Sequence, residues 1–220
     1  MYKYAGAGVI LLEYFKINNI YELCVIIIHN KYKKLYECPG GKVELKDNIY
    51  KTAVRELREE TINLFKLPKH ILTSNYSVDI SSGRRFYKTF LLYLIAPINT
   101  NKKINLDFYF YNKNLITNNN IPLCWDETDN ITRLSIKQFM KDIKICNDND
   151  NLYTKNIYNI KIIFSNRDKQ SLLKAINKEF IKWNNDIYIS NVPIYQLHFN
   201  DQFKPLNNKF LFLKDTKYYY

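Results

Sequence analysis

The chain has 220 residues, enough for one sizeable core or for one domain with an extension. Its 46% hydrophobic and 25% charged residues match a globular domain, and no apolar run is long enough for a membrane-spanning helix. The net charge of +12 points to polyanionic partners such as nucleic acid, but 27 lysines against 6 arginines, among many Asn, Ile and Tyr, equally reflect AT-rich codons, as in a large DNA virus or some protists.

Met1–Tyr4 does not carry the pattern of a secretory leader. Cys24, Cys38, Cys124 and Cys146 form no CxxC pair, and His29, His70 and His198 are scattered. That spacing argues against a zinc site and a disulfide framework, and for a reducing, intracellular compartment.

Ala5–Leu12 and Glu22–His29 are predicted strands, rich in β-branched residues and separated by a polar turn at Asn18-Asn19. Val25-Ile26-Ile27-Ile28 is continuously apolar, which predicts a central strand buried on both faces. Pro39-Gly40-Gly41 breaks regular structure. Asp47 is the expected N-cap of a helix over Asn48–Asn63, with Tyr50, Ala53, Val54 and Leu57 as its apolar stripe. Pro68 stops any continuation.

Tyr76–Ile80 and Phe86–Ile95 read as a hairpin turned by Ser81-Ser82-Gly83. Ile104–Tyr111 reads as a further strand or an aromatic loop. Ile131–Ile136 is an expected strand, and Ser135 caps a short helix through Met140. Asp168–Trp183 is predicted as the second clear helix, with Leu172, Leu173, Ile176, Phe180 and Trp183 at helical spacing. Ile187–Ile189 and irregular aromatic-rich sequence follow. The expected organisation is one α/β domain over residues 1–185 and a C-terminal extension over 186–220 packed on it.

The chemistry concentrates between Gly40 and Glu60. On a helix, residues three and four apart share a face, so Glu56, Glu59 and Glu60 project from one side. Three carboxylates at that range repel one another and call for a cation. Hard oxygen donors suit Mg²⁺ or Mn²⁺. Arg55 is placed to orient a carboxylate or to bridge loop and helix. Gly40 and Gly41 let the backbone pass close to the cluster. Read alone, the charges of this helix describe a salt-bridged surface; the Gly-Gly loop at fixed distance upstream separates the two readings.

This pattern resembles the Nudix box, G-x5-E-x7-R-E-U-x-E-E-x-G-U, where U is bulky and apolar. Gly41 matches its opening glycine, and Arg55, Glu56, Leu57, Glu59 and Glu60 its central block. Asp47 stands in for the first glutamate, Ile62 for the last glycine and Asn63 for the last bulky residue.

The resemblance implies an α/β/α sandwich with a mixed β-sheet between helices, and metal-dependent hydrolysis of a nucleoside diphosphate linked to another group. It implies Glu56, Glu59, Glu60 and the carbonyl of Gly40 as ligands of Mg²⁺ or Mn²⁺, with Glu56 and Glu59 catalytic. Gly41, Asp47 and Arg55 are then structural. A further carboxylate is expected from a loop outside the box, and Glu127, among Asp126, Glu127 and Asp129, is the choice; the alternative is a solvated acidic loop. Lys42, Arg84, Arg85 and Trp125 are candidate substrate contacts, the arginines for phosphate and Trp125 for a base.

Three functions stay open: cleavage of capped RNA with accompanying RNA binding, hydrolysis of a small nucleotide or inositol pyrophosphate, and a non-catalytic nucleic-acid-binding module. The intact glutamates disfavour the third. The C-terminal extension is a candidate sheet cover, cleft wall or homodimer contact.

Overall fold

The structure is a computed structural model; it describes residues 4–82, 85–95, 104, 106–117, 126–184, 187–192, 194–196 and 217–219. Two long strands open the chain, β1 (Tyr4–Ile17) and β2 (Ile20–Asn30), paired antiparallel. Asn18 and Asn19 turn between them with φ of 47° and 67°, a left-handed conformation that asparagine tolerates well. Both strands run longer than their apolar stretches because polar residues continue the ladder beyond the core.

Short strands β3 (Leu35–Glu37) and β4 (Gly40–Lys42) follow, then helix α1 (Ile49–Glu60). β5 (Ser77–Ser82) and β6 (Arg85–Ile95) form the expected hairpin. β7 (Thr128–Ser135) pairs with β2 and leads into α3 (Ile136–Asp142), capped by Ser135, whose hydroxyl accepts from Gln138 N at 3.3 Å. Between β6 and β7 lies α2 (Asp107–Thr117).

After α3 come β8 (Leu152–Lys155), β9 (Lys161–Phe164), α4 (Asn166–Asn177), β10 (Ile181–Asn184), β11 (Ile187–Ser190), β12 (Ile194–Gln196) and β13 (Lys217–Tyr219). The main sheet is mixed, in the order β13-β12-β6-β1-β2-β3-β9-β8, with β4 on β1, β5 on β6 and β7 on β2. β1 and β6 run parallel, while β1 and β2 run antiparallel.

Alternate residues of the central strands supply two separate cores. Ala7, Val9 and Leu11 of β1, with Ile26 and Ile28 of β2, pack towards α1 and its Ala53 and Leu57. Ile10 and Leu12, with Val25 and Ile27, pack on the opposite face with Phe139 of α3 and Leu172 and Ala175 of α4. A strand covered on both faces has no polar side to show, which is why Val25–Ile28 is unbroken. The architecture is an α/β/α sandwich, as expected.

Three expected elements take another form. In the segment expected as strand or aromatic loop over Ile104–Tyr111, the residues from Asp107 onward are helix: α2 begins there, burying Tyr109 while Phe110 and Tyr111 face solvent. The helix expected over Asp168–Trp183 starts and ends earlier. Ser165 caps α4 by accepting from Asp168 N at 3.3 Å, and Glu179, at φ 59°, ends it, with Phe180 N donating to Ala175 O at 3.0 Å. Trp183 therefore lies in β10, against Tyr188 across the hairpin. Asp47 is not the cap of α1. Asn48 Oδ1 accepts from Tyr50 N and Lys51 N at 3.1 and 2.9 Å, which leaves the Asp47 carboxylate to Arg55.

The β10–β11 hairpin spans the expected boundary at residue 185, and β12 pairs with β6. No described helix is long and apolar enough to cross a membrane.

Candidate active site

β4 lies against β1 with Gly41 opposite Ala7 and Gly40 opposite Gly8, so the Gly40–Lys42 loop runs along α1 at its charged face. A Cβ on Gly41 would overlap the Glu56 carboxylate, and one on Gly40 would overlap the Tyr87 hydroxyl. Both glycines are needed for close approach, not for a special backbone angle.

Arg55 is the hub of this face. Its Nε donates to Asp47 Oδ2 at 3.1 Å, its Nη2 to Lys42 O at 3.1 Å, and its Nη1 to Glu59 Oε2 at 3.1 Å. Nη1 also stands 2.9 Å from Glu56 Oε1 and 3.4 Å from Glu44 Oε1. One planar guanidinium thereby ties the loop to two glutamates of the helix, a geometry that a lysine cannot reproduce. Burial works against its charge, but the bond to Asp47 and the charges of Glu56, Glu59 and Glu44 more than offset this and keep it cationic.

Glu60 points inward. It is buried, and its Oε2 accepts from Gly40 N at 2.6 Å. Beside it lies Glu37, a buried carboxylate at the end of β3 that sequence reading passed over. Glu37 is held by Lys33 Nζ at 2.8 and 3.0 Å. Its only local signal is an acid immediately before Cys38-Pro39-Gly40.

All three helix glutamates are pushed upward in pKa. Burial raises Glu56 to about 7, against the pull of Arg55 and with the push of Glu59 and Glu127. Burial also raises Glu59, and it drives Glu60 well above the usual carboxylate range, with the charge of Glu37 adding to the effect. These are desolvated acids short of positive charge, and a hard cation supplies what they lack. The donor set fits Mg²⁺ or Mn²⁺ in its chemistry. Among the described residues, no three acid, histidine or cysteine side chains already converge on one point, since Arg55 and the Gly40 amide engage these carboxylates.

Of the acidic residues at the start of β7 and just before it, Asp126 is taken by Lys31 and by Lys113, the latter at 2.6 Å, and Asp129 pairs with His29 Nδ1 at 2.5 Å. Glu127 is exposed, has no cationic partner among the described residues, and is near enough to raise Glu56. Its backbone carbonyl anchors Lys31 N at 3.0 Å.

Beside the Gly40–Lys42 loop opens a cavity of about 820 Å³. Lys33, Lys42, Arg167 and Lys174 line it, against a single acid, Asp148. Arg167 stacks on the Tyr87 ring at 4.5 Å and donates to Asp168 Oδ2 at 2.9 Å and to Cys38 O at 3.2 Å. The Tyr87 hydroxyl is buried without a hydrogen-bond partner among the described residues. Lys42 is exposed in this wall, and Arg85 begins β6 as an exposed residue. Arg84 and Trp125 lie outside the described residues. Lys33 and Lys174 carried no distinguishing signal in a chain so rich in lysine; the turn before β3 and helix α4 group them with Arg167.

No family model matches the chain, and no curated protein matches it. Solved structures do. A MutT/nudix family protein from Enterococcus faecalis is 14% identical, with 81% of this chain and 62% of that one covered and a TM-score of 0.47. An Ap4A hydrolase binary complex from C. elegans is 19% identical, with 39% and 62% covered and a TM-score of 0.30. The NUDIX domain of Shewanella oneidensis NrtR, complexed with ADP ribose, is 12% identical, with 82% and 90% covered and a TM-score of 0.41. The chain spans 62% of the length of the Ap4A hydrolase and of the Enterococcus protein. Nothing about this chain's chemistry follows from likeness at that level.

Proposed function

We propose that this chain is a Nudix hydrolase that cleaves a diphosphate linkage with Mg²⁺ or Mn²⁺ held by Glu56, Glu59, Glu60 and the carbonyl of Gly40. One observation carries the reading. Three desolvated carboxylates of α1, with raised pKa values, crowd a Gly-Gly loop that Arg55 ties to the helix. A divalent cation bound there neutralises phosphate charge and makes a water nucleophilic near neutral pH.

The chain's own residues do the rest. Arg55 fixes the orientation of Glu56 and Glu59, so that reacting groups meet in a set geometry. Glu127, exposed beside Glu56, and Glu59 are the groups we assign to accepting the proton of the attacking water. They belong to one interacting set of acids, and the proton is shared across it. Lys33, Lys42, Arg167 and Lys174 receive the anionic substrate in the neighbouring cavity. Arg85, at the start of β6, is a further phosphate contact. We take the segment after residue 185 as part of the same domain, because β11 pairs with β10 and β12 with β6.

Capped RNA is the substrate we favour, on the net charge of +12 and the cationic wall of the cavity. A second reading has its own support. A cavity of about 820 Å³ holds a small ligand, and its cationic lining, with Lys42 and Lys174 beside Lys33 and Arg167, the latter two already paired with Glu37 and Asp168, suits a compact polyphosphate, such as a dinucleoside polyphosphate or an inositol pyrophosphate. Release of methylated GDP from capped RNA, measured beside phosphate release from these small compounds with Mg²⁺ and with Mn²⁺, decides between them. Turnover of the small compounds alone sinks the decapping reading. No turnover of either, together with no metal-dependent change in melting temperature, sinks the hydrolase reading.

A further inference from the structure

Away from the carboxylates, a second depression of about 870 Å³ lies between β3, the β8–β9 hairpin and α3. It shares no lining residue with the cavity beside Gly41. Lys34, Lys141, Lys155 and Lys161 face it, all exposed and none paired with a carboxylate among the described residues. Its one acid, Asp142, accepts from Gln138 Nε2 at 2.7 Å and from Thr154 Oγ1 at 2.6 Å, and four lysines against this single carboxylate leave the lining net positive.

Lys155 and Lys161 are direct cross-strand partners in the hairpin. Like charges at such a position disfavour the pairing of two strands. Among the described residues no carboxylate forms an ion pair with either, so an outside anion can supply the partner. Tyr153 is 73% exposed and shares a face of β8 with Lys155. Tyr36 and His29 add aromatic floor, with their rings 4.8 Å apart. A cationic track alone suits any polyanion. An exposed ring set among the lysines, over a half-buried aromatic floor, suits a chain that offers phosphates and flat bases together.

We propose that this groove binds single-stranded nucleic acid, with phosphates on Lys34, Lys141, Lys155 and Lys161 and a base stacked on Tyr153. The assignment does not depend on the hydrolase reading, because the groove holds none of the residues given to hydrolysis. If capped RNA is the substrate, the groove is where the body of the transcript rests.

The test is fluorescence anisotropy of a labelled oligouridine of about twelve nucleotides with the full chain across a salt series. The double variant K155E/K161E is expected to weaken binding at least tenfold at low salt. It should also flatten the plot of log K against log salt by about 1.4, or about 0.7 per lost phosphate contact. Tyr153→Ala should weaken binding about tenfold at every salt while leaving the slope unchanged. Turnover of small compounds and melting temperature should match wild type, and K155Q/K161Q serves if the charge reversals disturb folding.

Three outcomes overturn the proposal. Intact binding in K155E/K161E removes the groove from consideration. An equal loss in K16E/K51E, two exposed lysines elsewhere, makes the effect one of total charge. Loss with the lysines but not with Tyr153→Ala describes a site for simple polyanions, or lysines that merely keep edge strand β8 from pairing.

Discussion

A side chain on Gly41 would place its first carbon in overlap with the Glu56 carboxylate, so any residue there but glycine must displace that carboxylate. Gly41→Ala must push Glu56 aside, and Arg55 holds Glu56 in turn. The expected result is a folded protein whose kcat falls by about 10²-fold, the scale set by a displacement of about 1 Å at a reacting centre. The magnesium concentration for half-maximal rate should rise as well. Steady-state rates against metal concentration check this, with circular dichroism to show that the fold survives. A full-rate Gly41→Ala enzyme would take Glu56 out of the reaction.

Arg55→Lys tests whether the guanidinium acts as a bracket or as a charge. Arg55 reaches Asp47, Glu59 and the Lys42 carbonyl at 3.1 Å each, in one plane. An ammonium keeps the charge but cannot span these partners. We expect kcat/KM to drop by about 10²-fold while the melting temperature changes little, since the ammonium keeps a positive charge beside the same carboxylates. Retained activity in Arg55→Lys would mean that charge alone suffices.

The raised glutamates predict how metal-free protein responds to pH. Glu56 titrates at about 7 in the fold, against an ordinary value of 4.5. A carboxylate raised by folding binds its proton more tightly in the native state, so its contribution favours the fold at low pH. That contribution is lost as pH rises from about 4.5 through about 7. Glu59 and Glu60 shift in the same direction. The melting temperature without metal should therefore carry a downward component across this window, and Glu56→Gln should reduce it. Added Mg²⁺ should raise the melting temperature more at about pH 8 than at about pH 5, because the ligands must shed protons to bind it. Equal stabilisation by Mg²⁺ at both pH values would argue that the ion binds elsewhere.

What could be read from the residues alone follows from distance along the chain. Arg55, Glu56, Glu59 and Glu60 occupy one helix, and helical spacing places them without further knowledge. The unbroken Val25–Ile28 announced a strand covered on both faces, and both cores meet there. Glu37, Lys33 and Arg167 join the site from β3, the turn before it and α4, and only the sheet order brings them together. α2 escaped because Phe108–Tyr111 carries four aromatics in succession, which suits a strand as well as a helix. β8 and β9 are four residues each, too short to show a pattern. Asp47 was legible as a carboxylate near a helix start, but not as the partner of Arg55 in place of the cap.

Ile62 ends α1 in the left-handed region, with φ 52°, where glycine is the residue at ease. Asn63 follows at φ 59°, its N–H donating to Arg58 O at 2.8 Å and its Oδ1 accepting from Arg58 Nε at 2.8 Å. A β-branched residue in this region costs about 1–2 kcal/mol. The cost is offset because the Ile62 side chain is fully buried in the core under α1, and Asn112 Nδ2 holds its carbonyl at 2.8 Å. Removing that side chain costs about 2–5 kcal/mol. Ile62→Gly loses the burial but relieves the backbone, whereas Ile62→Ala loses nearly the same burial and keeps the strain. Both variants should be less stable than wild type, with Ile62→Gly the less affected of the two by about 1 kcal/mol. Urea denaturation of the three proteins checks the order. A glycine variant more stable than wild type would show that the strain outweighs the packing, and an alanine variant above the glycine one would show that residue 62 carries no strain.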